Sequence, residues 1–229
     1  MSLLLALTLG CLTAASLGQS HTVCNPVTGL CFEQFSNSAL NVTVGFALPP
    51  KQNKIFANEV LVLGSFPLPY RFAGITLGQS DNDVRRAQQG SITLAWYSIF
   101  ESAEAAAKTP FSTDYCRGEI SSLGSTHTLT PLIAAPIATT FSPLTTWGNG
   151  GAQFIFRCRN CNIVTQYFAM HDKAKLTTVI STSYPVYIDS TWTLANLSLA
   201  GSQHQQFTLD TKAARFANYS SILSAAGLL

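Results

Sequence analysis

The sequence is poor in charge. Asp, Glu, Lys and Arg together make up 10% of the 229 residues, and the net charge is +2. The chain has no basic cluster of the kind that binds nucleic acid and no acidic run typical of a disordered tail. After the N-terminal segment, no apolar run approaches the roughly 18 residues that a membrane-spanning helix needs. The composition therefore predicts no nucleic-acid partner and no membrane span in the body of the chain.

The N-terminal segment is apolar and carries no charged side chain over its first 20 residues. A leucine-rich stretch from Leu3 to Leu12 is followed by small residues, with Ser16 and Gly18 placed for cleavage before Gln19. This pattern is typical of a secretory signal peptide, and its apolar part is too short for a membrane anchor. We expect a signal peptide over residues 1–18 and a single secreted, extracellular domain over residues 19–229. The alternative is a buried N-terminal helix.

Three asparagines lie in Asn-x-Ser/Thr triplets: Asn41, Asn196 and Asn218. In a secreted protein such triplets are acceptors for N-linked glycans. The sequence therefore predicts a glycoprotein.

Five cysteines remain after the predicted signal peptide. Cys158 and Cys161 form one Cys-x-x-Cys pair, whereas a structural zinc site usually needs two such pairs. A redox motif would be expected to begin a helix, but the sequence on both sides is strand-like. We therefore predict a structural disulfide between Cys158 and Cys161. Cys24 and Cys31 flank a turn-forming stretch and could close a second loop, which leaves Cys116 without an evident partner.

Period-two alternation of apolar residues dominates the chain and predicts strands. In residues 42–48, Val42, Val44, Phe46 and Leu48 share one face, and two prolines follow. Similar segments cover residues 59–63, 72–77, 91–99, 153–158 and 176–181, and the glycine-rich stretch 147–151 predicts a tight turn. Helix is predicted only for residues 100–108 and 213–226. Many short strands without strand–helix alternation predict an all-β, antiparallel sandwich or barrel.

Several motifs, taken in order, resemble the cytochrome domain of fungal cellobiose dehydrogenases, a DOMON-type β-sandwich. CNPVTGLCF at residue 24 is similar to the family's opening motif, and VTVGFALPP at residue 42 to its G-F-x-x-P-P strand. FAGITLG at residue 72 and ITLAW at residue 92 resemble two following strands. FRCRNC at residue 156 resembles the family's F-R-C-x-x-C disulfide motif, and ANY at residue 217 its closing motif.

This resemblance implies haem b held between a histidine and a methionine, and one-electron transfer. His204 matches the family's histidine, and Phe72 lies on the strand before the loop that carries the methionine. Ser80 or Asp81 stands where that methionine is expected, and the only methionine after Met1 is Met170. A serine is a poor haem ligand, and an aspartate in an apolar crevice would be costly to desolvate. Candidate substitute ligands are His127, His171 and Met170, each of which is also consistent with a surface position.

Two interpretations therefore stay open. In the first, the chain binds haem and exchanges electrons with a flavin dehydrogenase or a copper polysaccharide monooxygenase during extracellular carbohydrate oxidation. In the second, the haem site has been lost and the sandwich is a secreted carbohydrate-binding or interaction module. The sequence contains neither the serine-elbow motif of acyl-transfer enzymes nor the zinc-hydrolase motif. Both interpretations describe an electron-transfer or binding domain more readily than a catalyst.

Overall fold

The computed structural model describes residues 18–67, 72–77, 91–97, 112–118, 128–131, 138–148, 151–181, 186–187, 194–198 and 203–229. The strands in these ranges are β1 (Gly18–Gln19), β2 (His21–Cys24), β3 (Cys31–Asn37), β4 (Val42–Ala47), β5 (Glu59–Pro67), β6 (Phe72–Leu77), β7 (Ser91–Tyr97), β8 (Ser112–Gly118), β9 (Thr128–Pro131), β10 (Ala138–Phe141), β11 (Thr146–Gly148), β12 (Gly151–Arg159), β13 (Lys173–Ser181), β14 (Val186–Tyr187), β15 (Leu194–Ser198) and β16 (Gln203–Asp210). The helices are α1 (Asn162–Met170) and α2 (Tyr219–Ala225).

The strands form two sheets that pack face to face. One has nine strands in the order β1-β16-β13-β6-β7-β8-β9-β15-β14. The other has seven, in the order β10-β12-β5-β4-β3-β2, with β11 also paired to β12. Apart from β1 and β16, which run parallel, the paired strands are antiparallel. The predicted all-β antiparallel sandwich is confirmed.

The inner faces of the two sheets bury one large apolar core. Val42, Val44, Phe46 and Leu48 all belong to it, as their period-two spacing predicts. Across the sandwich the rings of Phe35 in β3 and Phe207 in β16 are stacked, with centroids 4.5 Å apart. This contact joins β3, the strand next to the edge of the seven-stranded sheet, to β16, the strand that contains residue 204.

A second apolar cluster lies on the opposite face of the seven-stranded sheet. There Leu61 and Ile155 pack with Tyr219, Ile222 and Leu223 of helix α2. Strand β5 is consequently buried on both faces over most of its length, which explains its nearly unbroken apolar sequence. The helix predicted over residues 213–226 is confirmed only for Tyr219–Ala225, and the predicted helix over residues 100–108 lies outside the described residues.

Both predicted disulfides are present, Cys24–Cys31 and Cys158–Cys161. The prediction that strand-like sequence flanks the second pair on both sides is wrong, because helix α1 begins directly after Cys161. Val164 and Phe168, one helical turn apart, are buried against the core and stabilise this helix. The disulfide is nevertheless structural, since both cysteines are fully buried and the next strand, β13, lies in the other sheet. No helix among the described residues has the length and apolar character needed to cross a membrane.

Candidate functional site

The nine-stranded sheet has an outer face, which is turned away from the seven-stranded sheet. Along β13, this face is exposed to solvent at the start of the strand and buried at its end. At its start, Lys173 and Lys175 are exposed on this face, whereas the inner-face residues between and beyond them are buried. Further along, Val179 and Ser181 occupy outer-face positions and are nevertheless fully buried. Val179 is not part of the core between the sheets. This end of the outer face is therefore shielded from solvent, and we call it the covered half.

Residue 204 lies at an outer-face position of the covered half. Val179 pairs with His204 of β16 on one side and with Gly74 of β6 on the other. Directly opposed residues in antiparallel strands share a face, so these three positions form one row across three strands. With strands about 4.8 Å apart, the backbones of residues 204 and 74 lie roughly 10 Å from each other. Gly74 is buried and brings no side chain to the row.

Phe72 occupies the neighbouring row, where it pairs with Ser181. The structure thus brings Phe72 and His204, both predicted from sequence, to adjacent rows of the covered half. Ser80 and Asp81, at the position of the expected methionine, lie outside the described residues. The last described residue before them, Leu77, is three residues beyond Gly74 and about 10 Å farther along the strand.

Two of the candidate substitute ligands lie elsewhere. Met170 ends helix α1 with 73% of its surface exposed. His171 is also exposed, with Nδ1 2.9 Å from the carbonyl oxygen of Tyr167. Both precede Lys173 at the start of β13, about 20 Å along that strand from Val179. They are surface residues, and neither can reach the row of residue 204. His127 lies outside the described residues.

Two of the three predicted glycosylation sites, Asn41 and Asn218, lie at the surface. Asn41 is exposed in the β3–β4 turn with φ +51°, and Asn218 is exposed before helix α2, where its side chain makes no capping hydrogen bond. Asn196 lies in β15, opposite Val186. Within the described ranges, no group of three or more His, Cys, Asp or Glu side chains is arranged to hold a metal ion.

Two residues of the family-like motifs meet in a polar cluster beneath helix α2. Arg157, from the FRCRNC motif, donates from Nε and Nη2 to Glu59 Oε2 at 3.1 and 2.8 Å. Its Nη1 donates to the Leu228 carbonyl oxygen at 2.8 Å. Tyr219, from the closing ANY motif, is buried beside them, and burial together with the charge of Glu59 raises the pKa of its phenol. Sequence reasoning missed this cluster because Glu59 and Arg157 are 98 residues apart.

The family model for the cytochrome domain of cellobiose dehydrogenase matches residues 23–221, which is most of the chain. The chain belongs to this family. The matched range includes the motifs between residues 24 and 219 and the row that residue 204 shares with Val179 and Gly74.

Solved structures agree on the fold. The cytochrome b domain of pyranose dehydrogenase from Coprinopsis cinerea superposes with a TM-score of 0.63 at 15% identity, covering 90% of this chain and 94% of that one. The cytochrome domain of Myriococcum thermophilum cellobiose dehydrogenase gives a TM-score of 0.59 at 14% identity, covering 90% and 96%. No curated protein matches the sequence.

The covered half offers a ligand position for a haem, but only one. Haem needs a crevice that excludes water and a side chain that binds the iron, most often through nitrogen or sulfur. The covered half offers a buried apolar floor at Val179 and Gly74, with a histidine position in the same row. No methionine among the described residues lies near it, since Met170 is at the opposite end of β13. The described residues therefore fit a haem held through residue 204, and they supply no thioether as a second ligand of the iron.

Proposed function

We propose that this cytochrome-family domain binds haem b through His204 and acts as a one-electron carrier. The observation that supports this most strongly is the place of residue 204 in the covered half, next to Val179 and Gly74. Burial on that face is what a haem crevice requires, because exclusion of water keeps the iron from exchanging its ligands with solvent.

In this proposal each residue has a limited task. The imidazole of His204 would bind the iron, and Val179, Gly74 and Phe72 would form part of the apolar wall. Haem, when bound, supplies an iron that cycles between two oxidation states one electron apart. The protein would contribute the crevice and the imidazole nitrogen of His204, and it would carry out no bond-making step itself.

The proposed partner is a redox protein of extracellular carbohydrate oxidation. Both solved relatives are, by name, cytochrome domains of sugar dehydrogenases. A flavin dehydrogenase is the proposed electron donor, and a copper polysaccharide monooxygenase is the proposed acceptor. Secretion through the predicted signal peptide, and glycans at Asn41, Asn196 and Asn218, belong to the same proposal. The exposure of Asn41 and Asn218 is consistent with it.

A second candidate function rests on the missing methionine. With Ser80 and Asp81 at its expected position and Met170 exposed far away, the thioether that raises the potential in the family is absent. A sandwich that has lost haem would persist as a carbohydrate-binding or interaction module.

An absorption spectrum separates the two functions. The full chain would be expressed in a secreting host supplied with haem and compared with His204→Ala and with His171→Ala as the matched surface control. A reducible Soret band in the wild type and in His171→Ala, but not in His204→Ala, supports the electron carrier. A colourless, folded wild type would instead support the binding module. A band that survives in His204→Ala would exclude residue 204 as the ligand.

Secretion and glycosylation have their own test. Mass spectrometry of protein from the culture medium, before and after glycan removal, is expected to show a chain starting at Gln19 with glycans on Asn41, Asn196 and Asn218. An intact N-terminus would contradict the signal peptide.

A further inference from the structure

A group of charged side chains lies at one end of the sandwich, where β4 and β16 end and β13 begins. We call it the basic patch, and its members are Lys51, Asp172, Lys173, Lys175, Asp210 and Lys212. Its net charge is +2, and the half-buried Arg215 beside Asp172 raises this to +3. Because the whole chain has a net charge of +2, the remaining residues together carry −1. Positive charge is therefore concentrated at this end of the molecule.

Ion pairs hold the members of the patch close together. Asp172 lies 3.9 Å from the ammonium of Lys51 and 2.7 Å from that of Lys212, so it links segments that follow strands of different sheets. Lys173 pairs with Asp210 across the β13–β16 ladder. More than half of each of these three lysine side chains is exposed. Since an ammonium group has three N–H donors, each lysine keeps donors for a further anion.

An aromatic pair borders the patch. The Tyr167 hydroxyl donates to the carbonyl oxygen of Lys175 at 2.8 Å, just before the point where β13 begins to pair with β6. The rings of Tyr167 and His171 lie 4.5 Å apart, and His171 is exposed. Lys175 is also exposed, and it has no carboxylate partner in the described part of the chain. A lysine with free donors thus lies beside aromatic rings, on which a sugar ring can pack.

The composition of the patch favours an acidic polysaccharide over other polyanions. Protein interfaces are depleted in lysine and aspartate. Membrane-binding surfaces combine lysines with several exposed apolar side chains, whereas Met170 is the one large apolar side chain exposed in residues 48–51, 165–175 and 208–215. Phosphate recognition favours the forked guanidinium of arginine, but all four cations of the patch are lysines. Because exposed lysines contribute little singly, a polymer that contacts several of them at once is required.

We propose that the basic patch binds a polysaccharide of uronic acids. Its carboxylates accept hydrogen bonds from the four lysines, and one of its sugar rings packs against the pair formed by Tyr167 and His171. Lys173 and the row of residue 204 are about 20 Å apart along β13. The site therefore depends neither on haem nor on its loss, and either assignment can fail while the other holds.

Four soluble probes test the chemistry by calorimetric titration of the full chain at low salt. Polygalacturonate should bind saturably, and its binding should weaken toward physiological ionic strength because bound counterions are released. The galacturonate monomer and fully methyl-esterified polygalacturonate should show no measurable binding. Polyglutamate, which has carboxylates but no sugar rings, should bind severalfold more weakly. Absence of polygalacturonate binding, or equal binding of its methyl ester, would overturn the proposal.

Two results would assign the patch to a different partner. Equal binding of polyglutamate and polygalacturonate would point to an acidic protein surface. Binding to vesicles of phosphatidylserine and phosphatidylcholine as tight as that to polygalacturonate would point to a membrane. Either result would overturn the polysaccharide assignment.

Variants locate the binding. Lys175→Gln removes one charge and no ion pair of the described residues, and it should weaken polygalacturonate binding about threefold. Arg159→Gln is the matched control, since it removes the same charge from an exposed position on β12, two strands from β4, and it should bind as the wild type does. Equal losses in these two variants would show that only overall charge matters, which would overturn the site.

A third variant tests the aromatic pair. Tyr167→Leu keeps an apolar side chain on helix α1 but removes the ring. It should weaken the binding of polygalacturonate severalfold and leave that of polyglutamate unchanged. An equal effect on both polymers would overturn the role of the ring, and with it the assignment to a sugar polymer.

Discussion

Arg157 and Glu59 form an ion pair between neighbouring strands, with Nη2 and Oε2 2.8 Å apart and side-chain exposures of 15% and 6%. The same guanidinium donates a hydrogen bond to the carbonyl oxygen of Leu228. One side chain of β12 therefore connects this strand to both β5 and the C-terminal segment. A buried pair of this kind contributes little net stability when intact, but removing one partner leaves a buried charge uncompensated.

Arg157→Met is therefore expected to lower the free energy of unfolding by about 3–5 kcal/mol in urea titrations. Arg159→Met, an exposed position two residues along the same strand, should change it by less than about 0.5 kcal/mol. The double variant Glu59→Leu/Arg157→Met should recover much of the loss, because no unpaired charge remains. A loss below about 1 kcal/mol for Arg157→Met would show that water reaches the Glu59 carboxylate.

Gly64 is expected to tolerate no side chain. It lies in β5 directly opposite Phe154 of β12, and a Cβ there would overlap the phenyl ring. Gly64→Ala should cost about 1–3 kcal/mol of unfolding free energy. Gly151→Ala is the control, since its Cβ would lie 3.4 Å from the nearest atom, the carbonyl oxygen of Phe66. Adding Phe154→Leu to Gly64→Ala should restore part of the lost stability, and no recovery would contradict the steric explanation.

Removal of each disulfide should lower the stability, and the order of the two losses should be opposite to the order that loop length predicts. Cys24 and Cys31 are 7 residues apart, and Cys158 and Cys161 are 3 apart. Loop-closure entropy alone assigns about 2.4 kcal/mol to the first and about 1.6 kcal/mol to the second. However, the second pair is fully buried in the core, so its removal also loses packing. We expect the double alanine variant at 158 and 161 to be the less stable one in denaturant titrations; the opposite order would mean that entropy dominates.

Asp210 should contribute to the loss of stability in acid. The hydrogen bond from the Lys173 ammonium, assisted by the Ala213 backbone N–H, holds the pKa of Asp210 below its usual value. A pKa lower in the folded than in the unfolded state stabilises the fold above the unfolded pKa near 4, and this stabilisation is lost as the pH falls through the folded pKa. Asp210→Asn should therefore show a shallower decline of unfolding free energy between about pH 5 and pH 2. An unchanged slope would show that the pair with Lys173 is screened by solvent.

Local patterns in the sequence were enough to predict six of the strands, β4 to β7, β12 and β13. The alternation at Val42, Val44 and Phe46 specifies which side of β4 faces the core, because successive side chains in a strand point to opposite faces. The glycine-rich stretch after Trp147 likewise predicts a tight turn, and Gly148 indeed pairs with Gly151. The Cys158–Cys161 disulfide was predicted from its spacing and from the exclusion of a zinc or redox motif, and Cys24–Cys31 was offered as a second loop; both disulfides are present.

The same local patterns failed at helix α1. Its residues 163–165 are Ile, Val and Thr, which are β-branched and favour strands. The helix forms because Val164 and Phe168, four residues apart, are both buried against the core. Tertiary burial thus outweighed local propensity, and no window of the sequence contains the surface against which these side chains pack.

The candidate haem site was predicted only in part. The motifs singled out His204 and Phe72, but nothing local relates residue 204 to Val179 or Gly74, which lie on two other strands. By itself, the sequence determined the all-β class, the face of each alternating strand and the family, because periodicity and motif order are properties of neighbouring residues. Only the tertiary structure decided which end of the outer face is covered, that Met170 and His171 lie too far from it, and that Glu59 meets Arg157. Those relations depend on strand order and register, which bring together residues that are far apart along the chain.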